Sequence, residues 1–158
     1  MKGRYWNKER NQPEPELIKF LDEKVTSTEK RIREATGVEV EVIFYAAGYK
    51  DGADAQHPYN LSKLLLHILV HTKPEKRVPY LPVLNPDPKV WDNDDGRGDY
   101  PPEIQKTFVD SVVQVASEGA DIGGSLGREL AGWKGEVVGR SLGWVAGAAV
   151  GVLKGIFR

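Results

Sequence analysis

Leu17, Leu21, Val25 and Ile32, with Thr28 and Ala35 on the same stripe, recur at spacings of three and four. That period predicts an amphipathic helix over 14–36. Pro13 and Pro15 suit its entry and Gly37 its C-terminal cap. The next eight residues, VEVEVIFY (38–45), change period. Val38, Val40 and Val42 alternate with Glu39 and Glu41, which predicts a strand with one buried face, and both faces buried by Phe44. GYKDGADAQHPYN (48–60) reads as a turn-rich loop, and Asn60 as a cap for LSKLLLHILVH (61–71). Periodicity leaves that run open between buried helix and strand, and helix is favoured.

Prolines at 74, 79, 82, 86, 88, 101 and 102 then break regular structure across 73–102. At most one short strand fits, around RVPYLPVL. A stretch of this length inside a compact domain has a job or is held by a partner. A new helix is expected near Pro101 or Pro102, where proline suits the first turn. Its apolar residues are Ile104, Phe108, Val112 and Val115. Helix could run from there to the chain's end as one rod, or break near Gly123–Gly124 into a hairpin.

The last third carries a different pattern. Gly119, Gly123, Gly127, Ala131, Gly135, Gly139, Gly143, Gly147, Gly151 and Gly155 form ten consecutive positions, four apart, that are all Gly or Ala. A glycine inside a helix costs about 0.8–1 kcal/mol relative to alanine. The six from Gly135 to Gly155 therefore cost roughly 5 kcal/mol, comparable with the net stability of a small domain. Contact that only a missing side chain permits, the close approach of another backbone, offsets such a loss. A spacing of four exceeds the helical 3.6, so a partner following the stripe wraps in the right-handed sense. GRELAGW (127–133) and GRSLGW (139–144) form a near-repeat that places Trp133 and Trp144 beside the small positions as large knobs.

In this spacing residues 119–155 resemble the glycine-zipper helices of bacterial and viral proteins. The resemblance implies tight association with copies of the same helix, often in or beside membranes. Arg128, Glu129, Lys134, Glu136 and Arg140 depart from the membrane-embedded members and favour an aqueous or interfacial setting for the first half. The expected fold class is α+β and mostly helical. A basic N-terminal arm (1–13) precedes a small α+β domain (14–100) that includes the proline-rich extended segment 73–102. A glycine-zipper helical region (101–158), long helix or hairpin, follows.

Composition narrows the chemistry. The 158 residues carry a net charge of −1, unlike a strongly basic nucleic-acid binder. With no cysteine, disulfides and thiolate chemistry are excluded. The arm is locally basic: Lys2, Arg4, Lys8 and Arg10 against Glu9 give +3. It reads as a solvated tail, or as a contact to a neighbouring subunit or a phosphate backbone. The N-terminus has no apolar core and does not read as a signal peptide. Ser141 to Leu153 is an uncharged run of thirteen residues, short of the roughly 20 that a membrane span needs.

His67 and His71, four apart, share a helical face, but HILVH lacks the glutamate of the HExxH motif, so core or interface histidines are expected. DNDDGRGD (92–99) gathers Asp92, Asp94, Asp95 and Asp99 around two glycines. These four are the candidate Ca2+ ligands, although Arg97 stands where a calcium loop needs glycine and an acidic turn before the next helix explains them too. No nucleophile elbow, phosphate loop or dinucleotide fingerprint is present. TGVEVEVIFYAAGYKDGAD, between a helix and an apolar segment, gives residues 30–130 a faint similarity to TPM domains. These are α/β modules, some with phosphatase activity and bound calcium, and no active residue transfers. A structural or assembly protein that binds copies of itself is thus expected ahead of an enzyme, most concretely a virion, filament or coat subunit. The alternatives are membrane association through 137–157, with nucleic acid a further partner for the arm, and a TPM-like phosphatase or calcium module. A virion or a cytoplasmic assembly is the favoured location.

Overall fold

The computed structural model describes residues 5–51, 54–118 and 151–157. The fold is mostly helical with two small two-stranded sheets. It divides into two compact units, Met1–Leu64 with Lys89–Arg97, and Leu65–Pro88 with Gly98–Arg158.

In the first unit a short hairpin pairs β1 (Trp6–Asn7) with β2 (Gln12–Pro13) and leads into α1 (Pro15–Thr36). Proline opens α1, and Gly37 closes it in the left-handed region (φ 71°), its N–H returning to the Arg33 carbonyl at 2.8 Å. Those two residues stop the helix where the sequence places its ends. The stripe is present, but no residue of α1 is fully buried. Leu17, Leu21, Val25 and Ile32 are half-buried, while Thr28 and Ala35 are exposed. Within the first unit, little of the chain covers this face.

The expected strand over 38–45 is not part of a sheet. The segment runs without a helical turn or a bend, so it is extended, yet it pairs only at its end, where Ala46 bridges Tyr59. Val38 and Val40 are exposed rather than buried. Within 48–60, expected as loop, a second hairpin pairs β3 (Tyr49–Asp51) with β4 (Asp54–Gln56). Gly48 (φ 79°) enters it; a Cβ there would overlap the Gln56 carbonyl, so only glycine fits. Tyr59 is the hub of the first unit, edge-on to Trp6 at 5.5 Å and stacked on Phe44 at 6.4 Å.

Residues 61–71 do form a helix, α2 (Leu61–Val70). Asn60 precedes it with φ 58°, a conformation asparagine tolerates. Its side chain does not cap α2. Nδ2 instead donates to the Phe44 carbonyl at 3.1 Å, tying the extended segment to the helix start.

The second unit holds most of the core. RVPYLPVL is helical rather than a strand: α3 (Pro74–Arg77) runs into a 3-10 helix, Val78–Val83, and a further 3-10 turn covers Pro88–Val90. Proline at the start of each piece fixes a helical φ and needs no N–H partner there. Arg77 staples the region. Its Nε donates to the carbonyls of Leu69 (2.7 Å) and Thr72 (2.6 Å), and Nη1 to Ser111 Oγ (3.1 Å). Carbonyls left over at the end of α2 are thereby satisfied.

α4 (Tyr100–Glu118) begins as expected, and Ile104, Phe108, Val112 and Val115 are all buried. Val78, Leu81, Leu153, Ile156 and Phe157 are buried in the same unit.

Candidate functional site

The small-residue stripe reaches the described residues at its end. Residues 151–156 are helical. At 100° per residue, Leu153, Ile156 and Phe157 fall opposite Gly151 and Gly155. Exposure follows that geometry: the three large residues are buried, and both glycines are exposed. A Cβ built on either glycine meets no described atom within 4 Å. The backbone of this turn is thus bare on its outer edge while its inner edge is anchored.

The anchor also fixes the path of the chain. Gln105 Nε2, near the start of α4, donates to the Phe157 carbonyl at 3.0 Å. A straight helix would separate two residues 52 positions apart by about 80 Å. Residues 100–157 are therefore not one rod; the end of the chain lies beside the first turns of α4. Gly119, Gly123, Gly127, Ala131, Gly135, Gly139, Gly143 and Gly147, with Trp133 and Trp144, lie outside the described residues, as does 137–150 of the candidate membrane segment.

Residues 92–97 of the acidic loop lie in the first unit. Asp95 is almost fully buried; its Oδ2 accepts from Lys63 Nζ at 3.0 Å and its Oδ1 from the Arg97 N–H at 3.1 Å. Asp94 Oδ1 closes a tight turn on the Gly96 N–H at 2.7 Å. Asp92 and Asp99 are exposed. Arg97 reaches away from the loop to Asp22 of α1, with Nη1 and Nη2 on the two carboxylate oxygens at 3.1 and 2.7 Å. The guanidinium hydrogen bond holds the Asp22 carboxyl below the usual carboxylate range and raises Arg97 in turn. Burial, aided by the Asp95 charge, pushes the Tyr59 phenol up to about 12. Asp95 and Arg97 thus fasten the loop to the start of α2 and the side of α1. Among the described residues no three His, Asp or Glu side chains gather where they could hold a metal ion.

Lys2 and Arg4 lie outside the described residues. From Tyr5 onward the arm is not a loose tail. It folds as the β1–β2 hairpin, closed by Glu14 N–H to the Tyr5 carbonyl at 2.7 Å and an Arg10 N–H to Asn7 Oδ1 turn at 2.9 Å. Asn11 Nδ2 donates to the carbonyls of His57 (3.0 Å) and Pro58 (3.2 Å), which fixes the hairpin within its unit. Lys8 and Arg10 are exposed on it.

His67 and His71 do share a face, with ring centroids 4.3 Å apart. Neither is a core residue: His67 is half-buried and His71 exposed, its Nδ1 2.9 Å from the His67 carbonyl. α2 is apolar on nearly every side, and Ile68 and Val70 are exposed on it. Among the described residues no helix is long and apolar enough to cross a membrane. No protein-family model matches the chain, and no curated protein or solved structure is significantly similar to it.

Proposed function

We propose that the protein is a non-enzymatic structural subunit that associates with copies of itself through the glycine edge of its C-terminal segment. A virion, filament or coat subunit is the most concrete form. The bare outer edge at Gly151 and Gly155 carries this reading. Large residues on the opposite side of that turn are buried, so the glycine side faces outward, at a cost in helix propensity that exposure to water leaves uncompensated. A second helix can approach such an edge far more closely than an ordinary helix face, gaining dispersion contacts along both backbones. In the sequence, the same four-residue spacing of small residues continues back to Gly119. The apolar residues left exposed on α1, on the 38–45 segment and on α2 agree with a chain that lives among neighbours.

Negative-stain imaging of the purified full chain tests the reading. Uniform rods, rings or shells are expected. A field without particles at concentrations well above micromolar would refute it, since a single 17.6 kDa chain is too small to see.

A further inference from the structure

Asn60, immediately before α2, is fully buried. Its N–H donates to the Asn93 carbonyl at 2.9 Å, its carbonyl accepts from the Leu64 N–H at 3.1 Å, and Nδ2 donates to the Phe44 carbonyl at 3.1 Å. Oδ1, buried as well, has no hydrogen-bond partner among the described residues. Turning the carboxamide over gives nothing, because Oδ1 would then face the Phe44 carbonyl oxygen and Nδ2 would be left over instead. A buried acceptor without a donor loses its hydration for no return, and folded chains satisfy such atoms with protein groups or ordered water.

Donors in the opposite predicament lie within three residues of it. The N–H groups of Leu61, Ser62 and Lys63, the first of α2, make no hydrogen bond with a described residue. Every helix start leaves such groups, and the side-chain oxygen of the preceding residue ordinarily takes the second or third of them. A capping residue does so from an extended backbone. Asn60 stands at φ 58° instead, with its carboxamide held by Phe44, and the direct bond is not made. Ser62 is fully buried too, its Oγ donating to the Trp91 carbonyl at 2.7 Å, so bulk solvent does not reach its N–H.

Whatever joins these groups must donate to Oδ1 and accept from an N–H. A sulfate or a carboxylate, the usual kind of guest at a helix N-terminus, has no proton to donate. The buried Asp95 carboxylate, 3.0 Å from Lys63 Nζ, also opposes a second negative charge beside this turn. A metal cation offers nothing to an N–H. Water does both, and an internal water typically makes about three hydrogen bonds, which Oδ1 and the N–H groups can supply. We propose that one internal water molecule caps α2, donating to Asn60 Oδ1 and accepting from the N–H of Ser62 or Lys63. Through it Asn60 joins the 38–46 segment, the 91–97 loop and the start of α2 in one hydrogen-bonded network. The site belongs to the first unit and is independent of self-association.

A crystal or electron-microscopy map of the full chain that resolves waters tests the proposal, whether the chain is single or assembled. The expected result is a water oxygen at about 2.7–3.2 Å from both Asn60 Oδ1 and the backbone nitrogen of Ser62 or Lys63. A protein donor on Oδ1, Oδ1 bonded directly to one of those N–H groups, an anion at the turn, or no density there would each overturn it. In solution, oxygen-17 relaxation dispersion should count at least one water per chain that is held long enough to tumble with the protein. A count of zero would overturn it as well.

Discussion

Replacing Gly151 and Gly155 together with leucine sets two consequences of the structure against each other. Both positions are helical, neither has a positive φ that glycine alone tolerates, and a Cβ at either meets nothing described within 4 Å. In a monomer the change is therefore favourable. Leucine exceeds glycine in helix propensity by about 0.7 kcal/mol, with less gained at Gly155 in the last turn, so roughly 1 kcal/mol in all. For a chain of this size that raises the melting temperature by about 2–4 °C. In an assembly where another backbone rests on this edge, each leucine must be forced into a filled space at about 1–3 kcal/mol. Two of them cost about 3 kcal/mol or more per contact, a hundredfold or greater loss in affinity. Thermal unfolding by circular dichroism, beside sedimentation velocity on the same samples, reads both effects. The account predicts a variant whose isolated chain is at least as stable as the parent's and whose large species is gone. A variant that is stabilised and assembles like the parent would show that the edge faces water in the assembly, and the reasoning would fail.

Other expectations follow from the two units. Phe108 is fully buried, so Phe108→Ala should cost the second unit about 3–5 kcal/mol in urea unfolding, whereas Val113→Ala, at an exposed position of the same helix, should cost little. Asp95→Asn removes the partner of the largely buried Lys63 and should destabilise the first unit by about 2 kcal/mol; equal stability of the variant in denaturant would show that the pair contributes nothing. Because Asp22 has its folded pKa lowered, its contribution is present above the usual carboxylate range and fades as pH falls through the folded value. Stability of the first unit should drop below about pH 4, and Asp22→Asn should flatten that acid limb. Tyr59 is an acid whose folded pKa is raised, so folding favours its neutral form. Stability should decline above about pH 10, and an ultraviolet titration should show one phenol ionising near pH 12.

The parts of the fold that were legible in the sequence are those set by local period. α1, α2 and α4 follow stripes whose ends carry proline, asparagine or glycine, and the buried face of α4 was readable residue by residue. The expected strand failed for a different reason. VEVEV alternates as a strand does, and the backbone is indeed extended, but a sheet needs a second strand and the described residues supply none beyond the Ala46–Tyr59 bridge. Pattern reports what a segment can do with a partner, not whether the partner lies in the same chain. RVPYLPVL was misread because its spaced prolines suggest extended backbone, although each can also start a short helical turn. Asn60 was read as a cap from residue type alone, and its actual reach to Phe44 depends on a contact sixteen residues away. The Lys63–Asp95 and Asp22–Arg97 pairs, 32 and 75 positions apart, had no local signal. At the candidate site, the stripe itself was legible. Its outward direction at Gly151 and Gly155 was not, because that depends on Leu153, Ile156 and Phe157 being buried opposite and on Gln105 holding the chain end.

Sedimentation equilibrium of the unmodified full chain, across a hundredfold range of concentration, tests most directly whether copies meet through that bare edge. The account predicts masses that are multiples of 17.6 kDa and rise with concentration, and that fall at each concentration when leucine fills Gly151 and Gly155. A single 17.6 kDa species at every concentration would contradict it.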